Sequence, residues 1–356
     1  MKKEHILIIR FSAIGDVAMA VPVVYSLATQ YPDLRITVLS RRFARPFFDD
    51  LAPNVDFMEA DLKGEYRGVK GLNALYRRLT AKQFTKIADL HNVLRSEYLR
   101  MRFNMGRYRV EHINKHRRDR RKLTSYRNKV RAQLRTPFEN YADVLARLGY
   151  PVKLEFTSLF PPEGGNLNLL PAIIGPKKNF EQWIGVAPTA AHPGKCYPVD
   201  RSRQVIEELL RRHPHARIFL FGRGRKEDEL FTQWCREIPH CVYVSQHLEN
   251  MQQELILMSH LDVMLSMDSS NMHMASLTAT PVVSVWGATH PYGGFMGWKQ
   301  PAENAIQADL DCRPCSIYGK RPCRRGDLAC MNLIRPEIII EKIEQIINPQ
   351  TPKTSL

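Results

Sequence analysis

The chain has 356 residues, 44% of them hydrophobic and 25% charged, with a formal net charge of +16. That length exceeds one ordinary core and suits two domains, while no apolar run is long enough to span a bilayer, which argues against a transmembrane segment. The run at 6–9 is too short for a signal-peptide core and has no small-residue cleavage site, so the chain is expected in the cytoplasm, its seven cysteines reduced or metal-bound.

In chain order, the apolar run 6–9 reads as a buried strand, residues 12–16 as a tight loop and 17–30 as a helix. A second strand is expected at 35–39, a third at 86–90 and a helix at 138–148 that stops at Gly149. Pro151, Pro161, Pro162, Gly164 and Gly165 then break the pattern and mark a linker. Beyond it the alternation restarts: strands at 183–187, 216–221, 242–244, 263–266 and 281–286, helices at 201–212, 252–259 and 336–347. Strands alternating with helices imply parallel sheets covered on both faces, so the predicted fold class is α/β, with two doubly wound Rossmann-like domains facing across a cleft. Ligands of such sheets sit at the carboxyl ends of the strands.

The positive charge is concentrated. Residues 100–135 carry 14 lysines and arginines against Glu111 and Asp119, a local balance of +12. Such a field concentrates polyanions: phosphorylated glycans, acidic lipid headgroups or nucleic acid. A basic nucleic-acid-binding protein is the rival reading from another class, with Tyr108, Tyr126, His112 and His116 interleaved among the cations.

Three strand-end loops carry candidate chemistry. In the first, Arg10 to Asp16, an acid at a helix start serves either as a cap or as a base. The second runs from Ala187 through Thr189 to Lys195, a hydroxyl and an ammonium suited to phosphate. The third, Ser266 to Ala275, places Asp268 and Ser269 after a strand and His273 one helical turn on, where hydroxyls, amides and an imidazole can converge on one anion.

These residues resemble a known family in order along nearly the whole chain. Ile8-Ile9-Arg10-Phe11-Ser12-Ala13-Ile14-Gly15-Asp16-Val17 is similar to the N-terminal signature of the ADP-heptose:lipopolysaccharide heptosyltransferases, glycosyltransferase family 9. Asp89 to Ser96, Lys195 with Tyr197-Pro198, and Asp268 to Ala275 running on to Trp286-Gly287-Ala288-Thr289-His290-Pro291 resemble its later motifs. The chain departs from the family at Ser270, usually glycine, and at Tyr197, usually tryptophan.

The resemblance implies a GT-B inverting glycosyltransferase that moves a sugar, heptose from ADP-heptose, onto a lipopolysaccharide core-type acceptor. Asp16 is implied as catalytic base, and Thr189, Lys195, Ser269 and His273 as the holders of the donor diphosphate. Asp268 would lie near the donor sugar and Glu227 near its ribose; Arg10, His91, Asn92 and Arg95 would meet the acceptor. The implied domains are 1–160 for the acceptor, 161–335 for the nucleotide sugar, and 336–356 as a helix and tail. The partners expected are a nucleotide sugar and an anionic lipopolysaccharide-type acceptor, with peripheral association at the inner face of the inner membrane and no nucleic acid. The same fold acting on another nucleotide sugar is the alternative within the class.

No obligatory metal is expected in catalysis. Asp309-Leu310-Asp311 has the form of a metal-binding DxD but precedes a cysteine cluster instead of a donor loop. That cluster, Cys312, Cys315, Cys323 and Cys330, is spaced to hold a structural zinc, and equally to remain as reduced thiols or to form a redox-labile disulfide.

Overall fold

Short, wholly apolar runs become the inner strands of parallel sheets, because helices cover both faces. The structure, a computed structural model, describes residues 4–348. Its first sheet comprises β1 (His5–Ile9), β2 (Arg35–Ser40), β3 (Val55–Glu59), β4 (Lys86–Asp89) and β5 (Arg109–His112). Their order is β3-β2-β1-β4-β5, every pairing parallel. Every residue of β1 is buried, as its central place requires. Leu72, Leu75 and Leu79, spaced along one face of the helix Gly68–Thr80, join Leu7, Ile9, Ile87, Leu99 and Phe103 in the core.

The second sheet comprises β6 (Trp183–Ala187), β7 (Arg217–Leu220), β8 (Cys241–Tyr243), β9 (Val263–Met267), β10 (Val282–Trp286) and β11 (Ala305–Gln307). Its order is β11-β10-β9-β6-β7-β8, again parallel throughout. Gly185 is needed in the middle of β6: a Cβ there would lie 2.4 Å from Met264 Sδ and 2.6 Å from Leu261 Cδ1. The helix Pro336–Ile347 contributes Ile339, Ile340 and Ile343 to this core, so it is part of the second body; the tail expected at 349–356 lies outside the described residues.

Three local expectations are revised. The helix expected over 17–30 is two helices, Ile14–Ala18 and Val21–Gln30. Pro22 has no N–H to offer the Ala18 carbonyl, so the ladder breaks between them. The strand at 86–89 is the fourth, because Val55–Glu59 forms an edge strand first, and β5 arises inside the basic stretch.

The chain divides into two compact units, residues 1–116 with 135–159, and residues 117–134 with 160–356. Residues 117–134, expected within the first domain, are thus part of the second unit. The reason is a set of contacts with the loop at 309–318 and with Tyr292. Lys129 Nζ donates to the carbonyls of Asp311 (3.1 Å), Cys312 (2.7 Å) and Pro314 (3.1 Å), which uses all three of its protons. Arg131 pairs with Asp311 at 3.1 Å, and Leu134 N–H donates to Tyr292 O at 2.8 Å. Burial, then the charge of Arg131, pushes the Lys129 ammonium below its ordinary pKa.

Replacing Lys129 by Met keeps the stem and removes the donors. Lys129→Met is expected to cost about 1–3 kcal/mol in chemical denaturation and to speed amide exchange in both 124–134 and 309–316. Unchanged exchange in 309–316 would show that the ammonium does not tie the two segments.

Candidate active site

In the first unit the carboxyl ends of β1 and β4 lie side by side, since Ile9 pairs with Asp89. Arg10, the residue after β1, is 6% exposed and donates from Nη1 to Leu90 O at 2.6 Å. Its Nη2 meets Asp16 Oδ2 at 2.8 Å. Asp16 is the third residue of its helix; the same oxygen accepts the Ala13 N–H at 3.3 Å, while Tyr141 Oη donates to the Asp16 carbonyl at 3.2 Å. The carboxylate therefore acts as a helix cap and sits in an ion pair, with 30% of the side chain still open to solvent. Arg10, expected at the acceptor, is engaged with the proposed base.

His91 is 8% exposed, and its Nδ1 accepts the Phe11 N–H across a long 3.4 Å. That contact assigns the ring proton to Nε2, which faces Ser12 Oγ at 3.5 Å. Burial, followed by the charges of Arg10 and Lys115, pushes His91 down to about 3, so the ring is a neutral donor at physiological pH.

Its loop is organised by Asp89, a fully buried carboxylate that accepts the His91 and Asn92 N–H groups, both at 2.9 Å, and faces Arg100 at 3.4 Å. Asn92 adopts a left-handed φ of 48°. Its amide donates to Ile113 O at 3.0 Å and accepts from Arg100 at 3.3 Å, so it holds the loop. Arg95, exposed in the first turn of the helix Leu94–Met105, is not used in this way. Asp89 and Arg100 were not singled out as site residues; an acid at a strand end, two residues before His91, was the available signal.

In the second unit the loops after β6 and β9 meet. Lys195 Nζ lies 2.9 Å from Asp268 Oδ2, an ion pair largely shielded from solvent. Asp268 N–H donates to Val285 O at 3.2 Å, which fixes the carboxylate beside the end of β10. Ser269 is the N-cap residue of the helix Ser270–Leu277, yet its hydroxyl pairs with Ser266 Oγ at 3.1 Å and makes no cap hydrogen bond. The leading amides of that helix thus have no side-chain cap, the arrangement in which a helix start receives an anion. His273 lies in the same first turns, 7% exposed, and Thr189 is half-buried two residues past β6.

Glu227 stands in the first turn of the helix Arg225–Glu237, over the glycines that follow β7: a Cβ on Gly224 would lie 2.9 Å from its Oε2. Its charge reaches Cys196, beside Lys195, where burial foremost raises the thiol pKa. Of the family's two altered positions, Tyr197 is buried and donates to Ile334 O at 2.8 Å, while Ser270 opens the helix after Ser269.

Close glycine contacts hold the Lys195 loop. A Cβ on Gly287 would lie 2.5 Å from Gly194 O, and one on Gly319 2.5 Å from Lys195 Cγ. Arg313, which sequence reasoning treated only as a turn residue, donates to Gly287 O (2.6 Å), Trp286 O (2.9 Å), Thr289 O (3.0 Å) and Gln307 Oε1 (3.1 Å), and also to Ala308 O.

Cys312, Cys315, Cys323 and Cys330 all line one cavity of about 400 Å³ together with Gly194 and Ala288. None is in a disulfide, and among the described residues no three His, Cys, Asp or Glu side chains are grouped so as to hold a metal ion. Burial pushes the Cys330 thiol up to about 11 and raises that of Cys315. Asp311 of the DxD is exposed and paired with Arg131.

The neutral His91 makes stability depend on pH. Unfolded, the imidazole takes a proton below its ordinary value of 6.5, whereas folded it resists to about 3. Its contribution is present above pH 6.5 and is lost as pH falls through that window, by up to about 1.4 kcal/mol per pH unit. In His91→Gln the loss of unfolding free energy between pH 7.5 and pH 5 is expected to shrink by about 1–2 kcal/mol, measured by urea titration. An identical pH dependence would mean that the ring titrates normally.

The comparisons with known proteins agree with one another. The family model for glycosyltransferase family 9 (heptosyltransferase) matches residues 72–323. The lipopolysaccharide core heptosyltransferase OpsX of Haemophilus influenzae is 23% identical over 298 residues, 81% of this chain and 80% of its own. Lipopolysaccharide heptosyltransferase 3 of Escherichia coli is 23% identical over 357 residues, covering 96% of this chain and 99% of its own. Among solved structures, the ADP-heptose lipopolysaccharide heptosyltransferase II of E. coli superposes with a TM-score of 0.69 at 17% identity, covering 97% of this chain and 99% of that one.

Proposed function

The chain belongs to glycosyltransferase family 9, with the GT-B fold of its relatives, and from that premise we propose that it transfers heptose from ADP-heptose to an anionic lipopolysaccharide core-type acceptor with inversion, Asp16 acting as base. The observation that carries this reading is the meeting of Lys195 and Asp268 at 2.9 Å beside the helix start at Ser269. A cation, hydroxyls and uncapped amides gathered at strand ends suit the diphosphate of a nucleotide sugar. The relatives named for ADP-heptose and lipopolysaccharide support the donor and acceptor classes.

In the proposed reaction the acceptor hydroxyl attacks the anomeric carbon as the bond to the diphosphate oxygen breaks. Asp16 takes the hydroxyl proton, and the leaving diphosphate is stabilised by Lys195, Thr189, Ser269, His273 and the helix amides. Asp268 holds the ammonium of Lys195 in place, and Glu227 receives the ribose. In the first unit Arg10 orients Asp16, and Arg95 with the His91 Nε2–H offers groups to the acceptor, whereas Asn92 shapes the loop that carries them. No helix among the described residues is long and apolar enough to cross a membrane, and we place the enzyme peripherally at the cytoplasmic face.

A thermal-shift panel of ADP-, GDP- and UDP-sugars tests the donor: only the matching nucleotide should raise the melting temperature strongly, and a preference for UDP- or GDP-sugars would replace ADP-heptose. Asp16→Asn keeps size and much of the capping ability but removes the basic carboxylate. The variant is expected to fold and bind donor while losing roughly 10²-fold or more in turnover at saturating substrates. Near-normal turnover would sink the assignment.

Because Lys195 and the helix amides supply the positive charge, transfer is expected to persist in EDTA. Loss of activity in EDTA that magnesium or manganese restores would return Asp309 and Asp311 to consideration. A slow loss confined to strong zinc chelators would instead implicate the cysteines.

A further inference from the structure

Two basic segments far apart in sequence are brought together on the second unit. Arg120 Nη1 donates to Tyr318 Oη at 2.6 Å, and the Arg324 guanidinium lies 4.8 Å from the centroid of the Tyr126 ring. The helix Arg117–Leu123 and the cysteine loop therefore share one surface. Arg117, Arg118, Arg121 and Lys122 are exposed on the helix, and Lys320 and Arg321 on the loop. Large apolar groups stand among them: Tyr126 is 73% exposed, Val130 51% and Tyr318 45%.

Cations alone make a solvated face. Cations interleaved with exposed aromatic and aliphatic side chains match a membrane interface, where headgroup phosphates take the charges and the rings sit at headgroup depth. The segment is also fixed, since Lys129, Arg131 and Leu134 tie it to the loop and to Tyr292, so little ordering remains to oppose docking.

We propose that this composite face is the membrane-docking surface of the enzyme and that its occupant is an anionic phospholipid bilayer. It rests on the peripheral placement proposed above and not on the transfer chemistry, so the two fail separately.

The test is co-sedimentation of the full chain, without donor, on roughly 7:3 phosphatidylcholine–phosphatidylglycerol vesicles and on pure phosphatidylcholine. Binding to the anionic vesicles is expected to fall ~10-fold or more in the quadruple variant R117Q/R118Q/R121Q/K122Q, and severalfold in K320Q/R321Q and in Tyr126→Ser. Raised salt should weaken the wild type in the same direction. Turnover on a water-soluble, delipidated acceptor should stay unchanged in all three. Equal loss from K226Q/R225Q, cations outside this face, or undiminished vesicle binding in the quadruple variant, would overturn the proposal. A raised KM for the soluble acceptor would overturn it in favour of an acceptor subsite. Tight, salt-steep nucleic-acid binding in the absence of vesicle binding would also overturn it.

Discussion

The geometry of the second unit depends on one buried guanidinium. Arg313 is 4% exposed, and its donors satisfy the carbonyls of Trp286, Gly287 and Thr289 where β10 ends and of Ala308 where β11 ends. Burial lowers its pKa, but an arginine keeps its charge, and charge-assisted bonds to carbonyls are stronger than neutral ones. Without it several carbonyls would stay buried and unpaired. The effect reaches the donor loop through a short relay: Ala288 O receives the Cys315 and Ser316 N–H groups, and Ala288 N–H donates to Gly194 O, next to Lys195. The position of the Lys195 ammonium is thus set partly from the cysteine loop.

The two units handle charge differently. In the first, a buried carboxylate, Asp89, folds a loop around itself, and a buried arginine, Arg10, engages the carboxylate assigned to proton transfer. Between them His91 is kept neutral first by burial and then by the charges of Arg10 and Lys115. In the second, Asp268 holds the Lys195 ammonium at 2.9 Å beside a helix start whose amides have no side-chain cap.

Much of this was legible in the sequence because apolar runs stop abruptly at polar loops. Ile6 to Ile9 and Val263 to Met267 are buried on both faces, so each reads as a strand, and Asp16, Lys195 and Asp268 stand just past such strands. β3 escaped because an edge strand such as Val55–Glu59 is only partly buried and mixes acids with apolar residues. The Lys195–Asp268 pair was not legible as a contact, since parallel crossovers place distant loops side by side. Nor was the neutrality of His91, which arises from burial and neighbouring charge, or the structural use of Asn92, which depends on where Arg100 and Ile113 fall. The destination of 117–134 was hidden for a similar reason: its composition announced an anion partner, while its attachment rests on backbone carbonyls of residues 311–314 as well as on the Arg131–Asp311 pair, and carbonyls leave no mark in a charge pattern.

That attachment has a consequence for the order in which the chain is made. Lys129 and the carbonyl of Cys312 are separated by 183 positions. At synthesis rates of about 5–20 residues per second, the basic segment leaves the ribosome roughly 10 to 40 seconds before its dock exists. The first unit, which needs only residues up to 159, can close meanwhile, with 117–134 looped out of it. The nascent protein therefore passes through a stage in which its basic segment precedes the carbonyls that tie it down.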